Sequence, residues 1–182
     1  MKPEFARRLG TAFIILCGLS AGSFSASAQF DDQGKVGAWT TAPVARRHEQ
    51  LENPHLRVVR VAKQKGFDRV VFEFTGPMPN YNIWYLRGRI FEDEAGPHRI
   101  RMAGKAFMQI TFNQIPMDEI QAGFCSGRNF SPEGKLTTPI LLEVQEKTLF
   151  EGTYDFLLGI KSRRAFRVTE FSHPARVAID FK

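Results

Sequence analysis

Gly66-Phe67-Asp68-Arg69-Val70-Val71-Phe72-Glu73-Phe74 is the stretch whose reading decides the fold. From Arg69 onward, Val70, Phe72 and Phe74 point to one side while Arg69, Val71, Glu73 and Thr75 point to the other, which is the alternation of a half-buried strand. The pattern returns near the end of the chain as Arg176-Val177-Ala178-Ile179-Asp180-Phe181, with Val177, Ile179 and Phe181 on the core face. Each copy follows another apolar strand, Leu56-Arg57-Val58-Val59-Arg60-Val61 before the first and Phe166-Arg167-Val168-Thr169-Glu170-Phe171 before the second. The unit reads as strand, short turn, strand, used twice. True duplication and two edges of one sheet converging on one pattern would both produce it. Glu73 and Asp180 have the parity of the face away from the core, and if they are exposed there, replacing either with alanine should cost under about 1 kcal/mol.

Working outward, the remaining strands announce themselves by alternation and β-favouring composition. They are Tyr81–Arg87 after the turn Gly76-Pro77-Met78-Pro79-Asn80, Ala106–Phe112, Ile140–Gln145 and Thr153–Ile160. About eight strands joined by short turns predict an all-β fold, an antiparallel β-sandwich or closed sheet. One long loop, about residues 113–139, interrupts the series with its glycines and prolines. Loops of that length in a compact domain are usually functional or mobile.

The chain has 182 residues, 43% apolar and 24% charged, the composition of a globular protein of about one domain. Its N-terminus has the layout of a signal peptide over residues 1–28: Lys2, Arg7 and Arg8, then an apolar run from Thr11 to Phe24, then Ala26-Ser27-Ala28 as a small-x-small cleavage site. Cleavage is expected before Gln29. The apolar run falls short of the roughly 20 residues that span a bilayer, so no stable membrane span is expected after cleavage. Export to the periplasm, cell envelope or extracellular space follows. Leu16 before Cys17 is too large for a lipobox, and Gly18-Leu19-Ser20-Ala21-Gly22 has the form of a nucleophile elbow but lies inside the discarded signal.

Processing lowers the 25 basic side chains by three and the 19 acidic ones by one, so the net charge falls from +6 to +4. Such an excess suits a solvated surface and favours an anionic wall polymer or membrane. No basic run with interleaved aromatics indicates nucleic acid. Residues 29–53 have no sustained period and hold Gly34, Gly37, Pro43 and Arg46-Arg47, which reads as a flexible linker. Trp39 within it is expected to dock back on the domain, the alternative being a ligand contact.

No constellation of residues carries catalysis, and no cofactor or metal is expected. His48, His55, His98 and His173 fall in no zinc spacing. Glu92-Asp93-Glu94-Ala95-Gly96-Pro97 lacks the spaced oxygens of a calcium loop. Cys125, in Gly123-Phe124-Cys125-Ser126-Gly127, becomes the sole cysteine after processing, which excludes an intramolecular disulfide. It lacks the strand and helix that would frame a nucleophile. A thiol-dependent enzyme using Cys125 and the long loop is the alternative from a different functional class. For binding, Trp84 and Phe107 have outward parity and can stack on sugar rings, unless both faces of the sandwich are covered. Arg69 and Arg176, at matched positions of the repeat, can read carboxylates as a pseudo-symmetric pair, or bridge to Glu73 and Asp180 across the sheet.

Gly66–Phe74, Phe150-Glu151-Gly152-Thr153, Phe166-Arg167-Val168 and Pro174–Asp180, in this order and spacing, resemble the AMIN-like domain family of exported bacterial proteins over about residues 54–182. That resemblance implies a small β-sandwich related to the AMIN domain, which accompanies cell-wall amidases and secretins and directs them to the envelope through peptidoglycan. It implies no established activity. By this analogy the chain is a non-enzymatic envelope-binding domain whose partner is peptidoglycan or an envelope protein complex. It departs from the family in the segment from Asn113 to Pro139 and in having no amidase attached.

Overall fold

The computed structural model of the chain describes residues 34–49, 51–88, 90–92, 99–116 and 138–182. In chain order the strands are β1 (Lys35–Val36), β2 (Val44–Arg46), β3 (His55–Gln64), β4 (Phe67–Thr75), β5 (Asn80–Leu86), β6 (Ile90–Glu92), β7 (Arg99–Arg101), β8 (Ala106–Asn113), β9 (Leu141–Phe150), β10 (Thr153–Ile160), β11 (Phe166–Ser172) and β12 (Ala175–Phe181). One five-stranded sheet, sheet A, runs β1-β11-β12-β4-β3, and a second, sheet B, runs β2-β5-β8-β10-β9. β6 and β7 make a separate two-stranded ribbon. The expected antiparallel sandwich is present. Its eight long strands are those that alternation marks, and the additional strands are the short β1, β2, β6 and β7, which have too few residues to display a period.

The inward residues of sheet A meet those of sheet B in one aromatic core. Phe72 sits edge-on to Phe156 with ring centroids 4.9 Å apart and tilted against Phe112 at 5.0 Å, and Phe74 also meets Phe112 at 5.0 Å. Val70, Phe72, Val177, Ile179 and Phe181 are fully buried, as their parity requires. Polar groups tie the sheets at their margins. Asp68 Oδ2 accepts from the backbone N–H groups of Ile140 and Leu141 at 2.6 and 2.9 Å, linking β4 to the start of β9. Tyr81 Oη donates to Glu170 Oε1 at 2.7 Å, linking β5 to β11.

The repeated strand pairs are neighbours in sheet A. β4 and β12 pair antiparallel at its centre, with Arg69 opposite Asp180, Val71 opposite Ala178 and Glu73 opposite Arg176. The sequence repeat carries Arg69 onto Arg176 and Glu73 onto Asp180, so it exchanges the first and last of these rungs and leaves the middle one in place. The two copies are therefore related by a local two-fold axis through the Val71–Ala178 rung.

The expected flexible linker at 29–53 needs correction over its described part. β1 pairs with β11, and the pairing continues through Gly37 N to Val168 O at 2.7 Å and Thr40 N to Phe166 O at 2.8 Å. β2 then pairs with β5 in the other sheet. Residues 34–46 form a strap that closes one side of the sandwich. Gly37 permits it: a Cβ there would stand 2.8 Å from Val168 O, inside the contact limit. Trp39 docks as expected, with the Arg167 guanidinium and the Lys182 ammonium each 4.7 Å from its ring centroid. Within the long loop expected at about 113–139, residues 117–137 lie outside the described residues, and Cys125 lies there with them. So do His98 and most of the acidic tip at 92–97.

Candidate functional site

Alternation along the strands divides the four binding candidates between opposite sides of the sandwich. Arg69 and Arg176 lie on the outer face of sheet A, and Trp84 and Phe107 on the outer face of sheet B. They do not form one site.

On sheet B, Trp84 sits opposite Gln109 and Phe107 opposite Leu86, one rung pair apart. Their surroundings differ. Phe107 is buried in a second, smaller apolar cluster with Ile100, Met102 and Leu157, against which Leu86 packs. Ile100 of β7 and Met102 just after it supply that cover, so Phe107 belongs to a second core layer. Trp84 remains half-buried and lines a groove of about 490 Å³ beside the edge strand β2, with Pro43, Ala45 and Asn82. A cleft of about 270 Å³ shares Tyr85 with this groove and brings in two cations, Lys105 and Arg163. Arg163 stacks on the Tyr85 ring at 4.4 Å and donates to Thr41 O at 3.1 Å. Tyr85 Oη donates to Arg164 O at 2.7 Å and accepts from Arg164 N at 3.2 Å, which fixes the ring between groove and cleft. Burial pushes the Tyr85 phenol above its ordinary pKa, with the Arg164 backbone bond and the two arginines opposing. An indole beside a cationic cleft can stack on a sugar ring and pair with its acidic substituent.

Beyond Trp84 the outer face of sheet B is polar but closed. Gln109 Nε2 and Thr111 Oγ1 donate to Asp155 at 2.7 and 2.5 Å, and Lys147 Nζ lies 3.6 Å from the same carboxylate. All four side chains are buried.

On sheet A, charged rungs flank a small-residue row. Arg69 grips Asp180 bidentately at 2.6 and 2.9 Å, and Arg167 Nε donates to Asp180 Oδ2 at 2.8 Å. Both guanidinium groups also lie over the Phe67 ring, at 5.3 and 5.4 Å. The matching acid Glu73 takes Arg57 at 3.0 Å and Arg60 at 3.1 Å. Arg176 stacks on Phe171 at 4.5 Å, and its Nε donates to Pro174 O. Of the two bridges that the repeat suggests, Arg69–Asp180 is therefore formed, while Glu73 is held by β3. The condition of exposure is not met for Glu73 and Asp180: they are 4% and 0% exposed, because the long arginine side chains fold over them.

Arg60 and Arg167 have outward parity in the sequence, whereas Arg57, three residues from Arg60, reaches Glu73 only through the bulge between Leu56 and Val58. Lys105 and Arg163 carried no such signal, because only the β7–β8 and β10–β11 turns bring them to Tyr85. His48, which falls in no zinc spacing, places Nε2 3.2 Å from Glu170 Oε1. Among the described residues no three His, Cys, Asp or Glu side chains are grouped to hold a metal ion, and no helix is long and apolar enough to cross a membrane.

Two antiparallel five-stranded sheets around an aromatic core define a β-sandwich. The chain belongs to the AMIN-like domain family, whose pattern matches residues 54–182. Membership points to a cell-envelope-associated domain. No curated protein and no solved structure matches the chain.

Proposed function

We propose that the protein is an exported, non-enzymatic module that associates with peptidoglycan through the groove at Trp84. The observation that carries this reading is the half-exposed indole set in an open groove beside the Lys105–Arg163 cleft. Peptidoglycan offers complementary chemistry: pyranose rings to stack on an indole, and carboxylates to pair with a lysine and an arginine. The signal-like N-terminus and the family support the compartment.

The test is co-sedimentation with insoluble peptidoglycan. Trp84→Ala should weaken binding about tenfold, the equivalent of about 1.4 kcal/mol, with the cooperative melt retained. Salt should weaken binding only in part, since the charge contacts are screened and the stacking is not. Sedimentation no greater than that of an unrelated basic protein would remove the reading and turn the search to envelope protein partners.

A further inference from the structure

The outer face of sheet A has a composition that wall stacking at Trp84 does not use. Three rungs cross it. One holds Val58, Glu73, Arg176 and Phe171, the next Arg60, Val71, Ala178, Thr169 and Val36, and the third Ala62, Arg69, Asp180 and Arg167. With Arg57 bonded to Glu73, four arginines hold two carboxylates, and Arg176 is a fifth on the rung of Glu73. The acids are buried and the arginines are not: the side chains of Arg57 and Arg60 are 63% and 59% exposed, and those of Arg69 and Arg167 about a quarter exposed. Ion pairing thus consumes part of the cationic charge and presents the remainder outward. The two acid-centred clusters stand four residues apart along β4, about 13 Å at strand rise.

Two further features select the partner. The charges spread across all five strands of the sheet, and the grooves around Tyr85 lie elsewhere, so a broad surface suits the face better than a small molecule. At the end of the middle rung Val36 is 59% exposed, one of two large apolar side chains so placed among the described residues. Beside it Thr169 is buried and its Oγ1 has no hydrogen-bond partner. A basic sheet with an exposed aliphatic at its rim matches the interface of an anionic bilayer, where guanidinium groups pair bidentately with phosphate and an apolar side chain enters among the headgroups. We propose that the outer face of sheet A docks on a phospholipid surface through phosphate, independently of the Trp84 groove.

Flotation with vesicles tests this, using equal parts of phosphatidylglycerol and phosphatidylcholine against phosphatidylcholine alone. The protein should float with the anionic vesicles only, and release at about 0.5 M salt, where the screening length is a few ångströms. The double variant Arg57→Gln, Arg60→Gln should bind them about tenfold more weakly, each arginine contributing a fewfold factor near the surface. Trp84→Ala should bind vesicles as the unaltered protein does, which separates this surface from the wall-binding reading. Val36→Ser, at an exposed edge position, provides a variant that leaves every ion pair in place, and it should also weaken flotation. Tripolyphosphate should displace the protein from vesicles. Displacement without any vesicle binding to begin with cannot occur, so tight tripolyphosphate binding by a protein that does not float would overturn the bilayer in favour of a soluble phosphate polymer. Equal flotation with both vesicle types, or unchanged flotation in both variants, would overturn the proposal outright.

Discussion

Phe72 and Asp180 lie on opposite faces of sheet A, and both are fully buried. Phe72→Ala empties the centre of the aromatic cluster and should cost about 3–5 kcal/mol, and Ile179→Ala about 2–5 kcal/mol. Asp180→Ala removes the shared acceptor of Arg69 and Arg167. Because those arginines retain some water contact, the cost should be about 1–3 kcal/mol, above what an exposed acid would show. Denaturant melts of the three variants check the order, and an Asp180→Ala protein as stable as the parent would show that the two guanidinium groups resolvate freely. The tyrosines set the alkaline limit. Tyr81 is held well above its ordinary value of 10.0 by burial, then by its hydrogen bond to Glu170 and the nearness of that carboxylate, and Tyr85 is raised chiefly by burial. The folded state thus keeps protons that the unfolded chain releases above about pH 10, and stability falls as pH rises past that point while staying level with respect to these groups below it. Unfolding free energies measured between about pH 8 and pH 11.5 should show that decline, and Tyr85→Phe should make it shallower.

At the scale of the element, the strap decides whether the family-matched portion is a complete sandwich. A chain starting at residue 54 would lose β1, β2, the Trp39 packing and the bond from His48 N to Asn80 Oδ1, leaving β11 and β5 as bare edges. Removal of residues 29–48 should therefore lower the melting temperature by several degrees, the shift that about 1–2 kcal/mol produces in a domain of this size. An unchanged melt would restore the linker reading. Gly37→Val should reproduce part of the loss, since its side chain would push against Val168 O. This element was illegible because β1 and β2 have two and three residues. Their strand state comes from the edges of β11 and β5, and alternation has no room to appear. The turn from Ala103 to Gly104 is a similar case: Gly104 has φ +112° and faces the backbone of Ile160, while Gly159 faces Ala103 O. Neither residue advertises that contact in sequence.

Across the whole molecule, the sandwich keeps two kinds of surface apart, a groove with an indole on one side and a field of arginines on the other. The two contacts proposed above, with wall and with bilayer, use separate surfaces, so the Trp84 and Arg57/Arg60 variants should show separable losses. The sequence by itself determined the class, the eight long strands, the inward residues and the repeat, because period-two alternation is a local property that burial enforces residue by residue. It also placed Arg69, Trp84, Phe107 and Arg176 on outward parity. Only the tertiary structure decided what outward means at each of them. Phe107 is roofed by Ile100 and Met102, Trp84 is left open beside a three-residue edge strand, Arg69 is committed to Asp180 and Arg176 to Phe171. It also decided that the two repeats lie side by side about a local two-fold axis. The physical reason is range: parity depends on the neighbouring residue, whereas cover and ion pairing depend on distant strands, 111 residues away in the chain for Arg69 and Asp180.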